Sequence, residues 1–326
     1  MECLPGCFYP TEVVFVDDSE SYLQALSLFF QKVPGVILKT FKNPQEALEY
    51  INARVVVQQG VNWEQENCFT PNCYALKLNV FSLHRQIYNA HRYGQISVVI
   101  ADYDLTEKYM NGVEFCRRIS GKNIQKILFT GQADRSFVIQ AFNDNVIQRY
   151  LSKNEVKDIS DILEIVKAAQ KRYFMSCTAS LNIALCSNPQ FPLAVHSEKF
   201  HQLFNRIVDQ GNIIEYYLLD GVGSFLLVDV SNKAQLLVVQ NEDQVKANYC
   251  DLQDELEDKQ LEALKSGALI YFNTRFWNDT HHQTYGELIP AEVLVDGSNK
   301  FFYGLTTNVA AFARDRMAFL ERVYER

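Results

Sequence analysis

Five polar residues stand where short apolar segments end. Asp17 and Asp18 close EVVFV, Asp102 closes SVVIA, Thr130 closes QKILF, and Lys153 follows RYLS. These are the residue types that phosphoryl transfer needs. A carboxylate at 102 is a nucleophile able to take a phosphoryl group as an aspartyl phosphate. Asp17 and Asp18, taken with it, form a hard-oxygen set suited to Mg2+, which favours one or two carboxylates, several waters and a phosphate. Such a cation offsets the repulsion between carboxylates and an incoming phosphate. Lys153 adds a positive point charge for the phosphoryl oxygens. The Thr130 hydroxyl can donate a hydrogen bond to one of them. Each residue alone is as well explained as a helix cap or a solvated loop charge. The set as a whole supplies the positioning and charge compensation of phosphoryl transfer.

The elements that must hold these residues follow from periodicity. Residues 12–17, 36–41, 97–102, 125–130 and 146–152 are apolar runs that predict strands. Between them, residues 19–33, 43–53, 112–120, 134–143 and 155–174 predict helices, with Ser19 and Asn43 at N-caps and Pro44 at the first helical position. Strands apolar throughout that alternate with helices imply a parallel sheet covered on both faces. Five such units fit an α/β, flavodoxin-like, doubly wound five-stranded sheet, in which sites form at the carboxyl ends of the strands. Asp18 and Asp102 are 84 residues apart. Helix, strand, helix and loops need only about 45 of these at average element lengths. An insertion is therefore expected near 54–95, with a helix at 76–93.

The segments VFVDDSES, VVIADYDL, ILFTG and RYLSK resemble the acidic pair, phosphoacceptor strand, switch threonine and lysine of CheY-like receiver domains of two-component response regulators. The resemblance covers about residues 11–175 outside the insertion. It implies that Asp102 is phosphorylated by a sensor histidine kinase or a phosphotransfer protein. It also implies that the backbone carbonyl of Asp104 completes the Mg2+ shell with Asp17, Asp18 and Asp102. Thr130 and Tyr150 would rearrange together, shifting a face of the domain and promoting homodimerisation on phosphorylation. Asn154 stands where the family usually has Pro, and Leu105-Thr106 where it has Met-Pro. In length and in its unfamiliar second half, the chain is also similar to quorum-sensing response regulators of Legionella-type bacteria, a likeness that rests on no motif.

The remainder divides as a receiver over 1–175, a linker over 176–195 and an α+β output domain with an antiparallel sheet over 196–326. In the last, residues 213–219, 224–230 and 235–239 predict a meander, 242–265 one charged helix ended by Gly267, 268–273, 289–295 and 301–306 strands, and 310–326 a closing helix. No helix-turn-helix, cyclase or phosphodiesterase motif is visible there. A module that binds a protein or ligand is the leading expectation. A transcriptional or RNA-binding regulator is the second. The third is an enzyme acting on nucleotides, with Asp220 or Asp229 as its carboxylates. Residues 1–175 carry 19 basic and 19 acidic side chains, so the whole net charge of −8 lies beyond them. That lowers the expectation of a phosphate-gripping surface. Cys68, Cys73, His84 and His91 lack zinc-finger spacing, and the His281-His282 pair reads as a polar loop. The eight scattered cysteines read as reduced thiols. With no signal segment and no membrane-spanning run, the expected location is the cytoplasm, and no membrane partner is expected.

Overall fold

The computed structural model describes residues 4–58, 83, 85–105, 110–131, 135–179, 181, 193–273, 286–309, 312 and 317–320. The chain divides into two compact units. One takes the described residues of Met1–Phe8, Glu64–Asn89 and Thr178–Phe319. The other takes those of Tyr9–Trp63, Ala90–Cys177 and Leu320–Arg326.

The strands are, in chain order, β1 (Cys7–Phe8), β2 (Thr11–Val16), β3 (Val36–Phe41), β4 (Ile96–Asp102), β5 (Gln125–Thr130), β6 (Arg149–Ser152), β7 (Ile213–Leu218), β8 (Phe225–Asp229), β9 (Ala234–Asn241), β10 (Leu269–Asn273), β11 (Gly286–Pro290), β12 (Glu292–Asp296) and β13 (Asn299–Thr306). The α-helices are α1 (Glu20–Phe30), α2 (Pro44–Gln58), α3 (Gly112–Arg118), α4 (Arg135–Asn143), α5 (Ile159–Cys177), α6 (Glu198–Gln210), α7 (Glu242–Asp251) and α8 (Asp258–Ser266).

The second unit is a five-stranded sheet in the order β3-β2-β4-β5-β6, every neighbour parallel. Alternate residues of its strands feed two cores. Val14, Val16, Val99, Ala101 and Leu128 pack with residues of α2, α3 and α4. Val13, Phe15, Val98, Ile100, Ile127 and Leu151 pack with residues of α1 and α5. This is the doubly wound, flavodoxin-like arrangement, and it explains why these strands are apolar on both faces. The order turns outward on either side of β2 and β4, so the crevice at their carboxyl ends is the topological switch point.

The first unit is built on a six-stranded antiparallel sheet, β1-β7-β8-β9-β13-β12, with β10 and β11 forming a separate ribbon. Helix α6 buries Phe200, Leu203 and Phe204, and Phe204 packs its ring on Tyr216 and Phe225. The residue pair Cys7–Phe8 lies within the stretch that sequence reasoning gives to the receiver. It pairs instead with Tyr216 and Tyr217 at the edge of this sheet.

Other expectations need correction. The charged stretch 242–265 is two helices, because Leu252 turns inward to a buried position and Glu257 starts a new helix with a reciprocal cap to Gln260. Residues 289–295 are two strands in different sheets, broken at Ala291 after Pro290, which has no backbone N–H to continue a ladder. The strand expected at 146–152 begins only at Arg149, since Asn145 takes a positive φ of 55° and the backbone N–H groups of residues 146 and 147 bond to Ala141. The expected helix at 76–93 lies mostly outside the described residues. Its described end forms two short 3-10 turns, Arg85–Tyr88 and Ala90–Gly94. Cys68, Cys73, His84, the His281-His282 pair and all of 182–192 also lie outside the described residues. So does most of 310–326, although Met317–Leu320 is not helical.

Candidate functional site

Parallel pairing places the carboxyl ends of β2, β4, β5 and β6 side by side. Val16 is in register with Ala101, Asp102 with Phe129, and Thr130 with Ser152. The residues at or just past these strand ends, Asp17, Asp102, Thr130 and Lys153, therefore come to one edge of the sheet.

Lys153 lies at its centre. Its ammonium donates to Asp17 Oδ2 and to Asp102 Oδ2, both at 2.8 Å. The Asp17 side chain is fully buried and that of Asp102 is 8% exposed, while Lys153 is 31% exposed. Burial pushes the Lys153 pKa down, but the hydrogen bonds and charges of Asp102 and Asp17 outweigh it and hold the group above its ordinary value. The second Asp17 oxygen accepts the Ser19 N–H at 2.9 Å, which anchors the start of α1. Ser19 takes the N-cap position, but its hydroxyl makes no cap bond and lies against Ser21 instead.

Asp102 Oδ1 differs from the Asp17 oxygens, which both accept hydrogen bonds. It is buried and has no hydrogen-bond partner among the described residues. A buried carboxylate oxygen left unpaired carries a full desolvation penalty unless a ligand satisfies it. One oxygen each of Asp17, Asp18 and Asp102 lie within 4.8 Å of one another, and Asp18 is partly exposed toward solvent. The donor set and the orphaned oxygen together fit a hard divalent cation with open positions for water.

The remaining expected residues are placed around this centre. Thr130 is fully buried at the end of β5, and its carbonyl accepts the Lys153 N–H at 2.8 Å. Tyr150 is half-buried against the α2–α3–α4 core, beside Leu128 in the ladder and on the same face of the sheet as Thr130. Asp104 is exposed, two residues past Asp102. Asp220 and Asp229, the expected carboxylates of a nucleotide enzyme, are engaged in turns. Asp220 Oδ1 accepts from the N–H groups of Val222, Gly223 and Ser224, and Asp229 Oδ1 from those of Ser231 and Lys233.

Three residues near the site were not selected by sequence reasoning. Gly112 opens α3 and bonds its N–H to the Tyr103 carbonyl at 2.9 Å. A Cβ at that position would fall 2.2 Å from the Asp102 carbonyl oxygen, so only glycine lets the helix sit against the strand. Tyr22 and Phe129 stack with ring centroids 6.0 Å apart. Their ring faces lie 5.7 and 5.6 Å from the Lys153 ammonium. Burial, then the charges of Asp17 and Asp102, hold the Tyr22 phenol in its neutral form. The signal for the pair was an aromatic residue in the first turn after the acidic pair, but it reads equally as core.

No protein-family model matches the chain, and no curated protein matches it. Among solved structures, the response regulator LqsR of Legionella pneumophila is similar over 99% of this chain and 96% of its own, with 30% identity and a TM-score of 0.74. A CheY-like response regulator receiver domain from Methanospirillum hungatei matches 50% of this chain and 96% of its own at 15% identity, with a TM-score of 0.32. One from Clostridium thermocellum matches 50% of this chain and 95% of its own at 18% identity, with the same TM-score.

Proposed function

The chain belongs to the response-regulator family represented by Legionella pneumophila LqsR, and from that premise we propose that its five-stranded unit is a phosphoryl-accepting receiver with Asp102 as the acceptor. The observation that carries this reading is the division of labour within one carboxylate. Asp102 Oδ2 is held by Lys153, and Asp102 Oδ1 is buried without a partner among the described residues.

In the proposed reaction an Asp102 carboxylate oxygen forms a bond to the phosphorus of the donor. The bond from phosphorus to the donor's leaving atom breaks, and the leaving group departs with the electron pair and takes up a proton from solvent. Asp17, Asp18 and Asp102, with the Asp104 backbone carbonyl, would hold Mg2+. When bound, that ion supplies positive charge against the donor oxygens. Lys153 neutralises charge on the transferred group, and the Thr130 hydroxyl donates to one of its oxygens. Tyr150, on the same face of the sheet as Thr130, then repacks, and the phosphorylated form dimerises. The donor is a sensor histidine kinase or a phosphotransfer protein. The antiparallel unit is the output module and binds a protein or ligand; among the described residues its two candidate catalytic carboxylates are held in turns. No helix among the described residues is long and apolar enough to cross a membrane.

Incubation with Mg2+ and acetyl phosphate, followed by intact-mass measurement, tests the reading. A labile phosphoryl adduct is expected on the wild-type protein and not on Asp102→Asn, with a larger solution mass after labelling. Equal labelling of the variant, or none of the wild type by this donor or by a kinase, refutes it.

A further inference from the structure

Lys153 sits in an asymmetric setting. On one side are the two carboxylate oxygens, each at 2.8 Å. On the other are the faces of Tyr22 and Phe129, at 5.7 and 5.6 Å from the same nitrogen. Both distances fall inside the range of about 6 Å over which a ring quadrupole attracts an ammonium. The rings are fixed from behind. Phe15 meets Tyr22 edge-on at 5.9 Å and Phe129 edge-on at the same distance. Beside them a cleft of about 420 Å3, lined also by Val156, Ile159 and Ile162, opens next to the Lys153 side chain.

The receiver reading makes two demands on this one ammonium. Asp17 Oδ2 cannot serve both Lys153 and a divalent cation at full strength, because both compete for the same lone pairs. Once Asp17 turns to the cation, Lys153 keeps only Asp102. At 31% exposure its alternative host is water. An ammonium drawn into water would leave the transferring phosphoryl group without its counter-charge.

We propose that Tyr22 and Phe129 are positioning residues for Lys153: their ring faces hold its ammonium within reach of Asp102 when Asp17 is given over to a divalent cation. The proposal rests on the receiver reading and deepens it. The role assigned to the rings runs through Lys153. The hydroxyl of Tyr22 is not required, so phenylalanine should replace it and an aliphatic side chain of similar size should not.

The experiment compares the full-length wild type, Tyr22→Phe, Tyr22→Leu, Lys153→Ala and the double variant Tyr22→Leu/Lys153→Ala. Two affinities are measured by calorimetry: Mg2+ alone, and beryllofluoride as a phosphoryl mimic in the presence of Mg2+. Tyr22→Leu should weaken beryllofluoride binding about 3- to 30-fold, the span expected for losing a cation–π contact at a partly desolvated site. Its Mg2+ affinity should not fall, because Lys153 competes with that cation rather than assisting it. Tyr22→Phe should match the wild type in both, and Tyr22→Leu should add nothing once Lys153 is absent, as a coupled pair requires. A parallel loss of both affinities in Tyr22→Leu would mean that the ring only packs the core, and would overturn the proposal. So would an equal penalty in the Lys153→Ala background, or a failure of Tyr22→Phe to restore binding. Failure of the receiver reading has a different signature: a wild type that binds Mg2+ but no beryllofluoride and takes no phosphoryl group.

Discussion

Replacing Gly112 by alanine adds one methyl group at the closest approach between α3 and the strand that ends in Asp102. The added carbon would lie 2.2 Å from the Asp102 carbonyl oxygen, 2.9 Å from its carbonyl carbon and 2.7 Å from Leu128 Cδ1. The leucine methyl can swing away. The carbonyl cannot, because β4 is paired on both sides, to β2 and to β5. An ordinary contact needs about 3.5 Å or more, so the first turn of α3 must retreat by over an ångström, and the bond from the Gly112 N–H to the Tyr103 carbonyl stretches or breaks. Overpacking against a fixed wall costs about 3 kcal/mol, and the better helix propensity of alanine returns at most about 1 kcal/mol. The expected loss is about 2 kcal/mol, or about 4–8 °C in melting temperature for a unit of this size. Urea unfolding checks it, followed through the aromatic ellipticity. The retreating turn is bonded to Tyr103, next to the proposed acceptor, so labelling by acetyl phosphate should slow as well. An alanine variant within about 0.5 kcal/mol of the wild type that labels at the wild-type rate would refute the reasoning.

Other perturbations have equally definite outcomes. Burial holds the Glu12 carboxyl above its ordinary 4.5, against the Tyr50 hydroxyl and the charges of Arg54 and Lys39. A raised folded value means that the folded state keeps a proton the unfolded state releases, so this contribution is full below 4.5 and is lost as pH rises through the folded value. Glu12→Gln, compared with the wild type by urea unfolding from mildly acidic to neutral pH, should flatten that limb and leave the protein no less stable at neutral pH. Burial pushes the Cys116 thiol up to about 12, against the opposing charge of Lys126. A disulfide reagent should therefore label exposed Cys250 in the native protein and reach Cys116 only on unfolding, as peptide mapping would show. Gly267 ends α8 with φ 78°, and a Cβ there would meet the Phe302 ring at 2.0 Å. Gly267→Ala should cost about 3 kcal/mol, read by thermal unfolding.

The receiver-like half was legible because its physics is local and repetitive. A strand buried on both faces must be apolar throughout, and a parallel sheet must send every carboxyl end to the same edge. Asp17, Asp18, Asp102, Thr130 and Lys153 could therefore be grouped from strand ends alone, and the structure brings the three carboxylates and the lysine together. The missed residues act through shape. Gly112 matters because a backbone carbonyl lies in front of it, which no periodicity reports. Tyr22 and Phe129 look like core in sequence and are partly so. In the antiparallel half, composition misled. The run 242–265 keeps helical character across a turn whose only clue was the Glu257–Gln260 cap. Cys7–Phe8 is too short for any pattern, since its pairing is decided by β7, some two hundred residues away.

That two-residue strand bears on how the chain reaches its fold. The Gly6 N–H donates to Thr178 Oγ1 at 3.3 Å across a sequence separation of 172 residues. Just inside those points, Tyr9 packs edge-on against Phe174. The chain thus leaves the antiparallel unit after Phe8 and rejoins it at Thr178 at neighbouring points of that unit, with residues 64–89 assigned to it in between. In an unfolded chain, closing a loop of that length would cost about 4.5 kcal/mol of chain entropy, more than two residues of ladder can return. Once the parallel unit has folded, its Tyr9–Phe174 contact holds residues 9 and 174 together and lowers that cost. Pairing of β1 with β7 is therefore cheaper once the parallel sheet exists. A fragment beginning at residue 178 would lack that strand altogether and leave the edge of β7 bare.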